Sequence, residues 1–239
     1  MQPRSDLAYP RIIAHRCGGR LAAENSLAGL TAAARIGCRG VEFDVMLSAD
    51  GVPVLMHDDT LDRTTNGHGR VDAITATELR RLDLQGEPVP LLTEALERCA
   101  QLGLWANIEL KAVAGGDDAR LGQVVGRALT EHWNGHGVIS SFSLPALIAA
   151  QSQSSWYANA LLVEALPDDW QSLVRQTGAL AIHIDATRAT AAAIAAIRAA
   201  GLAVACYTVN DRDQAERLLA AGVSAVFSDR PDLWRRDEM

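Results

Sequence analysis

Residues 40–57, Gly-Val-Glu-Phe-Asp-Val-Met-Leu-Ser-Ala-Asp-Gly-Val-Pro-Val-Leu-Met-His, decide the fold. Two apolar runs, 40–46 and 53–57, are separated only by Leu47 to Val52. Parallel neighbours need a crossover of about a dozen residues or more, so these runs must pair antiparallel, as a hairpin turning at Asp50-Gly51. Seven further strand-like runs lie at 11–15, 105–110, 138–142, 159–163, 180–184, 203–208 and 225–228. Helix-patterned stretches alternate with them, near 25–36, 75–82, 93–102, 117–133, 144–153, 168–177, 189–200 and 211–221. Glycines at 37, 103, 178, 201 and 222 stand where these helices should stop. With 53–57 set aside as a return strand, eight βα units remain, the number that closes a TIM (β/α)8 barrel of the α/β class. The expected architecture is one barrel domain over 1–239, with a hairpin and an inserted segment at about 58–92 after strand 2. That insert, rich in Asp, Thr, Asn and Gly, is expected to cover the barrel mouth and to be too short for a core of its own.

The same stretch carries chemistry. Period-two alternation puts Glu42 and Asp44 on one face. With Asp50-Gly51 as a two-residue loop, Ala49 pairs with Val52, and the register then sets His57 opposite Asp44. Glu109 and Lys111 share a face at the end of the next parallel strand, and His15-Arg16 end the first. In barrels of this kind the active site lies at the carboxyl ends of the strands, where all these residues fall. Carboxylates suit a hard divalent cation, imidazoles move protons, and Arg and Lys neutralise phosphate oxygens. An isolated Glu-x-Asp is more often a salt-bridged strand end. Three converging carboxylates would repel one another strongly without a cation. His68, His132, His136 and His183 lack such neighbours in the pattern and are read as structural.

Composition narrows the function classes. Net charge is −7 with no basic stripe, which argues against a nucleic-acid partner or stable membrane association. The first residues lack the apolar stretch of a secretory signal and no run approaches a membrane span, so the expected location is the cytoplasm. Cys17, Cys38, Cys99 and Cys206 are scattered, without the spacing of a zinc site or a disulfide framework. Cys17 directly follows Arg16, and a neighbouring cation favours the thiolate, so it is expected to be the most reactive of the four.

His15-Arg16 with Glu24-Asn25-Ser26, Val41-Glu42-Phe43-Asp44-Val45, His57-Asp58-Asp59-x-Leu61-x-Arg63-Thr64-Thr65, Val89-Pro90-Leu91-Leu92, Asn107-Ile108-Glu109-Leu110-Lys111, Ser141-Phe142, Tyr207-Thr208-Val209-Asn210 and Phe227-Ser228-Asp229 occur in that order. The series resembles the ordered motifs of the glycerophosphodiester phosphodiesterases, especially their cytoplasmic bacterial branch. The resemblance implies a TIM barrel with a small insertion and a divalent metal, Mg²⁺ before Ca²⁺ or Mn²⁺, held by Glu42, Asp44 and Glu109. It implies His15 as general base and His57 as general acid, an order that can be swapped. Arg16 and Lys111 would meet the phosphate, with Phe142 and Tyr207 as pocket wall. The implied reaction is hydrolysis of glycerophosphocholine or glycerophosphoethanolamine to sn-glycerol 3-phosphate and the free alcohol. A phospholipase D-like lipid phosphodiesterase is an alternative, as is a non-catalytic barrel that senses glycerol phosphate; the absence of a signal and of paired cysteines counts against the first, net acidity against the second. The family pattern has Gly where this chain has Cys17 and Pro where it has Ala23. Glycine at the first position would permit a positive φ that cysteine adopts less readily.

Overall fold

The computed structural model describes residues 7–153, 157–234 and 236–238. Eight parallel strands close a barrel: β1 (Ile12–Ala14), β2 (Gly40–Leu47), β4 (Trp105–Leu110), β5 (Gly137–Ser141), β6 (Ala158–Val163), β7 (Ala179–Asp185), β8 (Ala203–Tyr207) and β9 (Ala225–Ser228). Closure comes from β1, which pairs with both β9 and β2. The helices between them are α1 (Leu27–Ile36), α2 (Ala76–Leu79), α3 (Leu92–Leu102), α4 (Asp118–His132), α5 (Leu144–Gln153), α6 (Trp170–Thr177), α7 (Ala191–Ala199) and α8 (Arg212–Ala220). Their starts follow local chemistry, with Ser26, Asp117, Thr190 and Asp211 each accepting from a backbone N–H of the first turn. Thr75 and Glu78 form the reciprocal cap at the start of α2. No helix among the described residues is long and apolar enough to cross a membrane.

The outer face of the strands and the inner faces of the helices form the large apolar core. The barrel interior is built differently. Ile13, Trp105 and Val138 fill its lower end, and Tyr9 stacks there with its ring 4.9 Å from that of Trp105. Ala160, Ala181, Ala205 and Ala225 belong to the same inner cluster. A cavity opens toward the carboxyl ends of the strands, among side chains that include Leu162, Tyr207 and Phe227.

The strand β3 (Pro53–Leu55) returns antiparallel along β2, with Val45 opposite Leu55, Met46 opposite Val54 and Leu47 opposite Pro53. This register differs by one residue from that expected of a two-residue loop. The Gly51 N–H donates to Ser48 O, and Gly51 itself has φ +80°, so the connection has three residues and ends in a left-handed glycine. Met56, not His57, therefore lies opposite Asp44, donating its N–H to Asp44 O. His57 reaches the cavity because the chain bends after β3, not through the hairpin register.

The inserted segment packs around a small shared core. Leu61, Val71, Leu79, Leu84 and Val89 are buried together with Met46, Val54 and Met56. The last three belong to β2, β3 and the bend. The insert thus acquires a core by borrowing the hairpin face that extends past the barrel rim, and each buried leucine adds about 1.5–3 kcal/mol.

Close helix packing on the barrel exterior depends on glycine. A Cβ on Gly122 of α4 would lie 2.1 Å from Ala146 O of α5. Gly122→Ala should therefore lower unfolding free energy by about 1–3 kcal/mol in urea titrations, the range for overpacking. An unchanged midpoint would contradict this close approach of α4 to α5.

Candidate active site

The first βα loop brings β1 chemistry to the cavity through an unusual turn. Arg16 and Cys17 both take left-handed conformations, with φ of +50° and +74°. For residues other than glycine each costs about 1 kcal/mol. The turn aims the Arg16 N–H at Glu42 Oε2, 2.8 Å away. It also sends the Cys17 side chain outward against Gly29 of α1, where the thiol is fully buried. Burial, then Cys99 and the charges of Glu42 and Asp44, raise its pKa well above the ordinary thiol value. The expectation of a reactive Cys17 is overturned: Arg16 is its neighbour in sequence, but the backbone turns the two side chains in opposite directions.

Glu42, Asp44 and Glu109 converge as their strand parity requires, each offering an oxygen within 4.8 Å of the others. All three are buried. Burial and the charge of Asp44 push the Glu42 and Glu109 carboxyls above the usual range. The protein supports the cluster from behind. Asp44 Oδ2 accepts from Asn25 Nδ2 at 2.8 Å, and the Asp44 N–H donates to Asn25 Oδ1 at 3.0 Å. Lys111 Nζ donates to Glu109 Oε1 at 3.0 Å and lies 3.6 Å from Asp44 Oδ1. One oxygen each of Glu42 and Asp44 remains buried without a hydrogen-bond partner. Orphaned, converging carboxylate oxygens are a donor set that fits a hard divalent cation.

Each cavity histidine is held by its own carboxylate. His15 Nδ1 is 2.7 Å from Asp229 Oδ1, and Asp229 is fixed in turn by Asn210, which donates from Nδ2 at 2.8 Å and accepts the Asp229 N–H at 2.8 Å. The other nitrogen, Nε2, lies 3.8 Å from Glu42 Oε2. His57 Nδ1 is 2.6 Å from Asp58 Oδ1. Arg63 then forks between Asp58 and Glu24, with its Nε and Nη1 each 2.6 Å from a carboxylate oxygen, and Glu24 also accepts from Arg16. His57 is thus tied to Arg16 through three intervening charged groups.

The two imidazoles differ electrostatically. Burial pulls His15 down, but the Asp229 hydrogen bond and the charges of Glu42 and Asp44 outweigh it and leave the group above its ordinary value. For His57, burial, supported by Lys111 and Arg16, outweighs Asp44 and Asp58 and lowers it. The Asp229 carboxyl is held down to about 2, chiefly by its hydrogen bond to His15.

His15, Arg16, Glu42, Asp44, His57, Glu109, Lys111, Phe142 and Tyr207 all line one cavity of about 240 Å³. Phe142 is exposed at the lip and meets the Tyr207 ring edge-on at 6.2 Å. The sequence profile of the glycerophosphoryl diester phosphodiesterase family matches residues 15–233. The chain belongs to that family. A phosphodiesterase from Oleispira antarctica, solved with the product sn-glycerol-3-phosphate, is 36% identical and superposes with a TM-score of 0.89 over 94% of both chains. A glycerophosphodiester phosphodiesterase from Agrobacterium tumefaciens is 32% identical, with a TM-score of 0.74 over 94% of this chain and 98% of that one. A third relative, the glycerophosphodiester phosphodiesterase of Caldanaerobacter subterraneus, is 29% identical over 92% of this chain and 94% of its own.

Within this glycerophosphoryl diester phosphodiesterase barrel, several site residues carry no role from the sequence reading. Asp58, Arg63, Glu24, Asn25, Asn210 and Asp229 all stand in the ordered motifs, yet only the folded geometry shows what each holds. Asn107 and His183 also line the cavity.

The burial of all four cysteines has a direct readout. Ellman's reagent should titrate no thiol rapidly in the native protein and four after denaturation. A fast native thiol mapping to Cys17 would contradict the outward turn of its side chain.

Proposed function

We propose that the chain is a glycerophosphodiester phosphodiesterase, cleaving glycerophosphocholine, glycerophosphoethanolamine or a similar water-soluble diester to sn-glycerol 3-phosphate and an alcohol. The whole chain acts as one barrel domain, with the segment 58–92 as part of its mouth, and works in the cytoplasm without nucleic acid or a stably bound membrane. The observation that carries the reading is the convergence of three buried carboxylates between two carboxylate-braced histidines and two cations in a single cavity. The product found in the Oleispira relative supports the same chemistry.

In this reading Glu42, Asp44 and Glu109 hold a divalent cation, Mg²⁺ by preference for a small all-oxygen site beside phosphate. When bound, the cation polarises the phosphate and acidifies a coordinated hydroxyl. Arg16 and Lys111 orient the phosphate and stabilise the charge that grows on its oxygens. His15, presenting Nε2, takes the proton of the glycerol C2 hydroxyl, and His57 protonates the departing alcohol. The C2 oxygen reaches phosphorus through a five-membered ring, which gives it the large proximity advantage of an intramolecular group. Water then opens the cyclic phosphate with the two histidines exchanging roles. His15 is lifted first by its hydrogen bond to Asp229 and then by the charges of Glu42 and Asp44, so a cation held by those two carboxylates would remove only the second part.

Glycerol 3-phosphate release from glycerophosphocholine, measured by a coupled assay, should require added divalent cation and stop with chelator. Full turnover in excess chelator would sink the cation assignment. His15→Ala and His57→Ala should each lower kcat at least about a hundredfold with unchanged circular dichroism, the usual scale of lost proton transfer. A loss under tenfold in either would remove that histidine from the reaction.

A further inference from the structure

The floor of the cavity contains two polar side chains that the reaction above does not use. His183 on β7 and Asn107 on β4 face inward, one alternation below Asp185 and Glu109 on their strands. Their exposures are 0% and 1%. Burial raises the Tyr9 phenol far above its ordinary value, so its hydroxyl remains a donor. That hydroxyl lies 2.8 Å from His183 Nε2. Burial also lowers His183 to about 3, which keeps the ring neutral. In the tautomer whose Nε2 accepts from the Tyr9 hydroxyl, the single ring proton lies on Nδ1. His183 Nδ1 has no hydrogen-bond partner among the described residues.

Asn107 is left open in the complementary sense. Its Nδ2 donates to Ser140 Oγ at 2.9 Å, while its Oδ1 is buried and unpartnered. Both residues line the cavity that holds the carboxylates, and the residue in register with His183 on β8 is the small Ala205. A buried polar group left unpaired costs about 1–3 kcal/mol, so two such groups at the bottom of a ligand cavity call for a partner. A phosphate oxygen accepts but does not donate. A quaternary ammonium head group does neither. A hydroxyl does both, which suits a floor made of one N–H donor and one carbonyl acceptor.

We propose that His183 and Asn107 form the floor of the glycerol subsite, hydrogen-bonding the terminal C1 hydroxyl and so selecting a glycerol arm over one that ends in methyl. The inference rests on the glycerophosphodiester reading and adds to it the residues that recognise the glycerol end. Tyr9 is a positioning residue here, fixing the His183 tautomer from beneath the barrel. The C2 hydroxyl is engaged at His15, so the C1 hydroxyl is the group that remains to enter the floor.

The test compares glycerophosphocholine with its 1-deoxy counterpart, in which the terminal CH₂OH is CH₃ and the C2 hydroxyl is kept. Wild type should prefer the parent by at least about a hundredfold in kcat/KM, because a site built to hydrogen-bond a hydroxyl rejects the analogue that lacks it. His183→Gln keeps a polar group toward Tyr9 and removes the Nδ1–H; its preference should fall below about tenfold, mainly through the parent's KM. His183→Asn, whose amide can stand in for Nδ1–H, should restore part of the preference. If His183→Gln fails to fold, Tyr9→Phe supplies the second variant and should lower the preference by freeing the tautomer. A wild-type ratio near one, or the same ratio in a folded His183→Gln protein, would overturn the inference and assign the floor to a fixed water. Should wild type cleave neither diester, the activity reading fails on its own. Calorimetric binding of sn-glycerol 3-phosphate against 1-deoxyglycerol 3-phosphate then decides the floor by the same ratios.

Discussion

Three buried carboxylates whose oxygens approach within 4.8 Å are the constraint around which this molecule is arranged. Like charges at that distance in a poorly solvated site repel strongly, and burial adds to the cost. The surrounding residues offset only part of it. Arg16 N–H, the Asn25 amide and Lys111 each satisfy one oxygen of a different carboxylate. What remains is one oxygen of Glu42 and one of Asp44 without a hydrogen bond, the latter facing only the Lys111 ammonium at 3.6 Å. A divalent cation held there would resolve both the repulsion and the missing contacts.

The fold follows from the need to hold that cluster still and to leave room above it. Glu42, Asp44 and Glu109 sit on adjacent paired strands, with Glu42 beside Asn107 and Asp44 beside Glu109 in register. Rigid strands position such groups more closely than loops do. Alanines on β6 to β9 pack with Tyr9, Trp105 and Ile13 to close the lower end of the barrel interior. The histidines come from less regular backbone, one from the turn after β1 and one from the bend after β3. Each is therefore given a carboxylate brace, Asp229 or Asp58.

Much of this was legible in the chain. Short apolar runs set between helix-patterned stretches marked all nine strands, and period-two alternation within a strand reports which side chains share a face. The carboxylate triad was legible for the same reason. The hairpin register was not, since one residue of loop length depends on whether Gly51 adopts a left-handed conformation, which its sequence permits without requiring. His57 still entered the cavity, by a bend that alternation does not encode. Cys17 misled because two consecutive left-handed residues reverse the direction a side chain would otherwise take. The contact of His183 with Tyr9 joins residues 174 apart, and the brace on His15 spans 214. Contacts at that separation are set by barrel closure, which brings the first strand beside the last.

The central claim is that the carboxylate cluster is built to be neutralised by one cation. Equilibrium titration of chelator-treated protein with Mg²⁺, read by calorimetry and by the melting temperature, tests it without reference to turnover. The account predicts one ion per chain and a melting temperature that rises with Mg²⁺ concentration, as for any ligand that binds the native state alone. It also predicts loss of both signals in Glu42→Gln. A wild-type protein that binds no divalent cation, or whose Glu42→Gln variant binds it equally well, would contradict the account.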